Sequence, residues 1–176
     1  MWDEAKNIRL LDQVACELDW PLYVAGEPKH PEGGTAIICN VHPLGRVPNH
    51  ELASWFARAA IYALPAHYEP FGLTALEAGL SGCALVLGDI PSLREVWAEA
   101  ALFVSPEDDK GWLKALNALM ANDQYRQEMA TRAYARASAY TPERMIQGYL
   151  DVYRNLLASF DKIGERRSET ALPALS

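Results

Sequence analysis

Five short runs of nearly unbroken apolar residues, PLYVAG, TAIICNV, AIYALPA, CALVLGD and ALFV, alternate with segments of helical period. A strand that is apolar at every position must be covered on both faces. The pattern therefore restricts the chain to a parallel sheet with helices packed on each side, a doubly wound α/β domain. Residues 3–18 (DEAKNIRLLDQVACEL) read as an amphipathic helix through Ile8, Leu11, Val14, Ala15 and Leu18. PNHELASWFARA reads as a second helix with Asn49 as its cap, and PSLREVWAEA as a short later one. From Pro106 onward only helical segments follow, the last of them capped by Thr141 with Pro142 at its first position. Residues 1–160 read as one domain and the polar residues 161–176 as a frayed tail. A doubly wound domain normally opens on a strand, yet here a helix comes first. The expectation is an excised piece, a sheet one strand short, or an edge supplied by another chain.

Half of the 176 residues are apolar, enough for one substantial core. With 16 basic and 23 acidic residues the net charge is -7, which argues against a broad electrostatic grip on nucleic acid or anionic lipid. Any bound anion must be held locally. Cys16, Cys39 and Cys83 form no C-x-x-C pair and read as reduced core residues of a cytoplasmic protein. No transmembrane segment or signal segment is legible. Trp55, Phe56, Trp97 and Trp112 read as core or interface aromatics, and Arg94 with Glu95 as an exposed helical pair. His42, His50 and His67 lack metal-ligand spacing and read as structural or solvated.

The stretch YEPFGLTALEAGLSG, residues 68–82, sets Glu69 and Glu77 around an apolar helix start. Buried acids are costly without partners, and acids at this spacing are more often ordinary surface residues. In a parallel sheet, however, a strand-to-helix turn lies at the carboxyl ends of the strands, where ligands bind. A helix beginning near Phe71 or Gly72 would aim its unpaired N–H groups and the positive end of its dipole at that cleft. Gly72 would admit a ligand close to the backbone. A phosphate would sit near Thr74, while Glu77, three residues on, would accept two hydrogen bonds from a vicinal diol.

Glu69, Pro70, Phe71, Gly72, Leu73, Glu77, Ala78 and Gly82 resemble the E-x7-E pattern of retaining glycosyltransferases with the GT-B fold, glycosyltransferase family 4 (group 1). WDEAKN is similar to that family's first phosphate loop, VHPLGRVPNHELASWFARA to the segment leading to the nucleotide base, IPSLREV to the stretch after the fifth strand, and YTPERMIQGYLDVY to its closing helix. The resemblance implies a Rossmann-like, C-terminal GT-B domain lacking its first strand. It implies that Glu77 holds the ribose of a nucleotide-sugar donor and that Glu69, the catalytic candidate, contacts the transferred sugar. Backbone around Phe71, Gly72 and Leu73, with Thr74, would meet sugar and diphosphate, and Lys6 would neutralise the departing diphosphate. Transfer would proceed with retention and without a bound metal or other cofactor.

Two departures accompany the resemblance. The arginine that the family sets five or six residues before its phosphate lysine would fall at or before Met1. The family's acceptor site lies in a separate N-terminal domain, in the same parent protein or a partner chain, so this chain is expected to bind donor weakly, to self-associate, and to transfer nothing alone. The alternative is a non-catalytic nucleotide-sugar-binding or scaffold module of the same fold.

Overall fold

The computed structural model describes residues 4–27 and 38–169, the segment from 161 to 169 by its backbone alone. A 3-10 turn, Glu4–Lys6, precedes α1 (Ile8–Ala15), followed by β1 (Tyr23–Ala25), β2 (His42–Gly45), α2 (Asn49–Arg58) and β3 (Ile61–Leu64). Then come α3 (Leu73–Leu80), β4 (Ala84–Gly88), α4 (Pro91–Trp97), β5 (Leu102–Val104), α5 (Asp109–Ala121), α6 (Asp123–Ala137) and α7 (Pro142–Glu169). Met1–Ser138 and Ala139–Ser176 form two compact units. In the second, the Thr141 hydroxyl accepts from the Arg144 amide at 3.2 Å, the cap its sequence position predicts.

Among the described residues all strand pairing is parallel: β1 with β2, and β3 with β4 and β4 with β5. Strand β4 is buried at every residue, as a central strand with both faces covered must be. Its Ala84 and Val86 pack into a cluster with Leu10, Leu11 and Val14 of α1 and Trp112, Leu116 and Leu119 of α5. Leu85 and Leu87, alternating with them, are equally buried on the opposite face. Phe56, Trp97 and Trp112 are core residues, as expected. A Cβ at Gly79 of α3 would lie 3.1 Å from the Trp97 ring and 3.4 Å from the Ala133 carbonyl, so only glycine lets α3 approach α4 and α6 this closely.

The structure corrects several sequence expectations, each for a local reason. The first helix does not run unbroken through its described part, residues 4–18, because Asn7 adopts φ 51° and separates the 3-10 turn from α1, which ends at Ala15. TAIICNV is not a strand in its described part, residues 38–41. The Asp12 carboxylate accepts from the amides of Cys39 (2.9 Å), Asn40 (2.7 Å) and Val41 (3.2 Å), which withdraws those donors from any ladder and delays the strand to His42. Pro48, not Asn49, caps α2. Arg94 pairs with Asp89 rather than Glu95, with Nη2 to Oδ2 at 2.7 Å, and its guanidinium lies over the Phe103 ring. Only Cys83 is buried, and burial pushes its thiol up to about 11; Cys16 and Cys39 are exposed.

Candidate functional site

The loop from β3 into α3 is shaped by close backbone packing. Gly88, the last residue of β4, lies so near Ala66 that an added Cβ would sit 2.4 Å from the Ala66 carbonyl oxygen. Ser92 Oγ donates to the Glu69 carbonyl at 2.6 Å, securing the loop to the first turn of α4. Gly72 follows at φ 84°, a left-handed conformation that favours glycine, and α3 begins at Leu73. A Cβ there would also press on Leu93 at 3.3 Å.

Within this loop Glu69 is clamped on both carboxylate oxygens. Lys6 Nζ donates to Oε2, while the Gly72 amide donates to Oε1 at 3.0 Å and the Phe71 amide points to the same oxygen at 3.4 Å. The left-handed Asn7 makes this possible by ending the turn that carries Lys6, and Asn7 Nδ2 donates to the Pro106 carbonyl at 2.8 Å. The Glu69 side chain is 13% exposed and that of Lys6 35%. Burial pushes the Glu69 carboxyl up, but the hydrogen bond and charge of Lys6, with the two amides, outweigh it and hold the group below its ordinary value.

This shift has a measurable consequence. A carboxyl whose pKa is lower in the folded chain than in the unfolded one adds stability that is complete above the ordinary glutamate value of 4.5 and is lost as pH falls through the native pKa. Glu69→Gln is therefore expected to be less stable than the parent at pH 7, with the gap narrowing progressively below pH about 4.5. Urea titrations from pH 7 to pH 3 measure this. Parallel curves for the two proteins would show that the pair contributes nothing.

Thr74 and Glu77 lie on α3 itself. Thr74 Oγ1 and the Tyr62 hydroxyl of β3 are 2.7 Å apart, and burial pushes the Tyr62 pKa strongly up, so Tyr62 stays protonated. Glu77 is exposed, and its carboxylate makes no hydrogen bond or ion pair among the described residues. Leu73, at the helix start, is 67% exposed, and loop residue Tyr68 is 68% exposed. The amides of Leu73, Thr74 and Ala75 have no intrahelical acceptor, because the ladder of α3 starts with the Leu76 amide on the Gly72 carbonyl.

The structure thus brings Lys6, Glu69, Phe71 and Gly72 into direct contact. Leu73 and Thr74 follow on the first turn of α3, and Glu77 lies one helical turn further on. Sequence reasoning missed Tyr62, Ser92 and Asn7. Tyr62 and Ser92 sit 12 and 23 positions from the residues they bond. Asn7, adjacent to Lys6, was the one with a readable signal, since asparagine tolerates the left-handed region. His67 Nδ1 lies 3.2 Å from Glu107 at the rim of the same loop. Among the described residues no three His, Cys, Asp or Glu side chains gather into a metal-binding group, and no helix is long and apolar enough to cross a membrane.

The sequence profile of glycosyl transferases group 1 matches residues 9–136. A D-inositol 3-phosphate glycosyltransferase of Nocardioides sp. is 34% identical over 128 residues, which is 72% of this chain and 28% of that protein. A glycogen synthase of Mycobacterium tuberculosis is 32% identical over 133 residues, 74% of this chain and 31% of that protein. Among solved structures, sucrose-phosphate synthase from Thermosynechococcus elongatus superposes with a TM-score of 0.77 at 22% identity, over 89% of this chain and 44% of that one. Anabaena HepE, in complex with UDP and glucose, gives 0.71 at 16% identity, over 89% and 46%. The chain therefore spans less than half the length of these proteins, and its fold is the Rossmann-like one found in GT-B enzymes. With most of its length matched by the family profile, the chain belongs to the group 1 glycosyl transferases.

Proposed function

We propose that residues 1–160 are the donor-binding half of a retaining glycosyltransferase, which moves a hexosyl group from a nucleoside diphosphate sugar to an acceptor held by a separate N-terminal domain. The observation that carries this reading is the clamped Glu69. Its carboxylate is fastened by Lys6 and by the Gly72 amide at the mouth of α3, one turn before the unpartnered Glu77. The family membership supports sugar transfer, and the small share of each relative that the chain covers leaves room for an acceptor domain.

In this reading each residue has a distinct task. The free amides of Leu73 and Thr74 and the positive end of α3 face the diphosphate. Tyr62 and Thr74 share a hydrogen bond; with the protonated Tyr62 as its donor, the Thr74 hydrogen is left for a phosphate oxygen. Glu77 accepts from the two ribose hydroxyls. Glu69 holds Phe71 and Gly72 in place and presents its oxygens to hydroxyls of the transferred sugar. Lys6, poised on Glu69, turns its charge to the departing diphosphate, so that leaving-group charge is met by the protein alone, with no metal ion. The separated chain has one wall of the cleft and binds donor weakly without transferring sugar.

Calorimetry against UDP, GDP, ADP and their sugars tests the reading, with Glu77→Ala as the probe. Loss of charge-assisted hydrogen bonds to ribose should cost about 1–3 kcal/mol, a roughly 5- to 150-fold weaker Kd, for whichever nucleotide binds. An unchanged isotherm would remove Glu77 from the site.

A further inference from the structure

The turn that carries Lys6, Glu4–Lys6, buries none of its three residues, so apolar packing does not hold it in place. Polar ties hold it instead, one on each side of the lysine. Before Lys6, the Ala5 carbonyl accepts from the His67 amide at 2.8 Å, which fastens the turn to the 65–72 loop. After Lys6, Asn7 Nδ2 donates to the Pro106 carbonyl at 2.8 Å, 99 positions away, which fastens it to the loop from β5 into α5. The two loops are joined to each other, because His67 Nδ1 lies 3.2 Å from the Glu107 carboxylate. Lys6 thus stands on one side of a closed triangle of three segments.

The corner at Pro106 and Glu107 is the firm one. The Ser105 carbonyl accepts from the indole N–H of the fully buried Trp112 and from the Asp108 amide, both at 3.0 Å. Asp108 caps α5 by accepting from the Gly111 amide at 2.9 Å, and Ser105 Oγ donates to Glu107 Oε2 at 2.9 Å. That loop is therefore anchored on the core, and the Lys6 turn is anchored on the loop. Asn7 makes its tie from a left-handed backbone, φ 51° and ψ 42°. Glycine would adopt that backbone without strain, so what asparagine adds at this position is the side-chain amide.

We propose that Asn7 and Glu107 are positioning residues for Lys6, through which the β5–α5 loop holds the ammonium group at Glu69, beside the start of α3. Neither touches the nucleotide; both act through the lysine. The inference rests on the reading that Lys6 meets a diphosphate, and it adds a third loop to that site.

The test is a mutant cycle on the chain of residues 1–176, with UDP, GDP and ADP as ligands and Lys6→Ala as the second background. Asn7→Gly keeps the left-handed backbone and removes the tie to Pro106. Glu107→Ala removes the tie to His67, whereas Glu107→Gln loses the same charge but keeps an oxygen for the imidazole. Asn7→Gly is expected to weaken the nucleotide that binds the parent by about 2- to 10-fold, and Glu107→Ala to bind it about twofold more weakly than Glu107→Gln. Added to Lys6→Ala, the same changes should have no effect, because the side chain they position is gone. NMR titration of the Glu69 carboxyl reads the positioning without ligand: its pKa should rise in Asn7→Gly, since the Lys6 hydrogen bond and charge are what hold it down, and should not respond to Asn7→Gly in the Lys6→Ala background. A parent-like Kd and titration in Asn7→Gly would overturn the proposal, and so would equal losses in both backgrounds, which would make Asn7 a merely structural residue. If no nucleotide binds the parent, the donor-binding reading fails while the Glu69 titration still decides the positioning.

Discussion

Trp112→Ala is expected to cost about 3–5 kcal/mol, the largest effect of any single substitution considered for this chain. Trp112 is fully buried in the cluster that joins α1, β4 and α5, and its indole N–H donates to the Ser105 carbonyl at 3.0 Å. Truncation opens a cavity among Leu10, Val14, Val86 and Leu116, which are anchored to three separate elements and cannot collapse together into it. It also removes one of the two donors to the Ser105 carbonyl, leaving that carbonyl the Asp108 amide. Against a typical total stability of about 5–15 kcal/mol, this loss is roughly a fifth of the total at least and all of it at most. Urea unfolding followed by far-UV circular dichroism measures the change. A loss under about 1 kcal/mol would mean that the α1–β4–α5 cluster is not the stabilising core.

Gly88→Ala is the second large effect, and it reaches the candidate site. The new Cβ would lie 2.4 Å from the Ala66 carbonyl oxygen and 3.1 Å from the Ala66 nitrogen. Backbone has no alternative rotamer, so the strand end or the 65–72 loop must shift. Overpacking of this kind costs roughly 1–3 kcal/mol, and a clash with backbone on a central strand belongs at the upper end. The displaced loop carries Glu69, so the clamp by Lys6 and Gly72 should loosen with it. The expected outcome is a loss of stability accompanied by a raised Glu69 pKa, measured by carboxyl titration in NMR. Full stability with an unchanged titration would show that the loop is not held by this contact.

The strands β3, β4 and β5 were legible because buried parallel strands need no second face and so read as continuous apolar runs. The helices α5, α6 and α7 were legible from their period, and the start of α7 from its Thr141 cap, although α7 runs on to Glu169, past the end expected near Phe160. What escaped the sequence were contacts between distant residues. Nothing in TAIICNV announces that Asp12 will take the amides of Cys39, Asn40 and Val41, yet that side chain decides where β2 begins. At the site, the spacing of Glu69 and Glu77 and the break at Gly72 could be read directly. The pairing of Lys6 with Glu69, 63 positions away, could not, and neither could the return of the Phe71 and Gly72 amides to the acid just before them. These side chains were assigned separately to a ligand, whereas the folded chain first assigns them to one another.

The central claim, that Glu77 holds the ribose of a nucleotide seated at the start of α3, is tested most directly by a double-mutant cycle. Calorimetry would compare the preferred nucleoside diphosphate and its 2′-deoxy analogue on the parent chain and on Glu77→Ala. The account predicts that removing the hydroxyl weakens binding to the parent but barely affects the variant, a coupling of about 1 kcal/mol or more. Equal losses on both proteins would place the ribose elsewhere and contradict it.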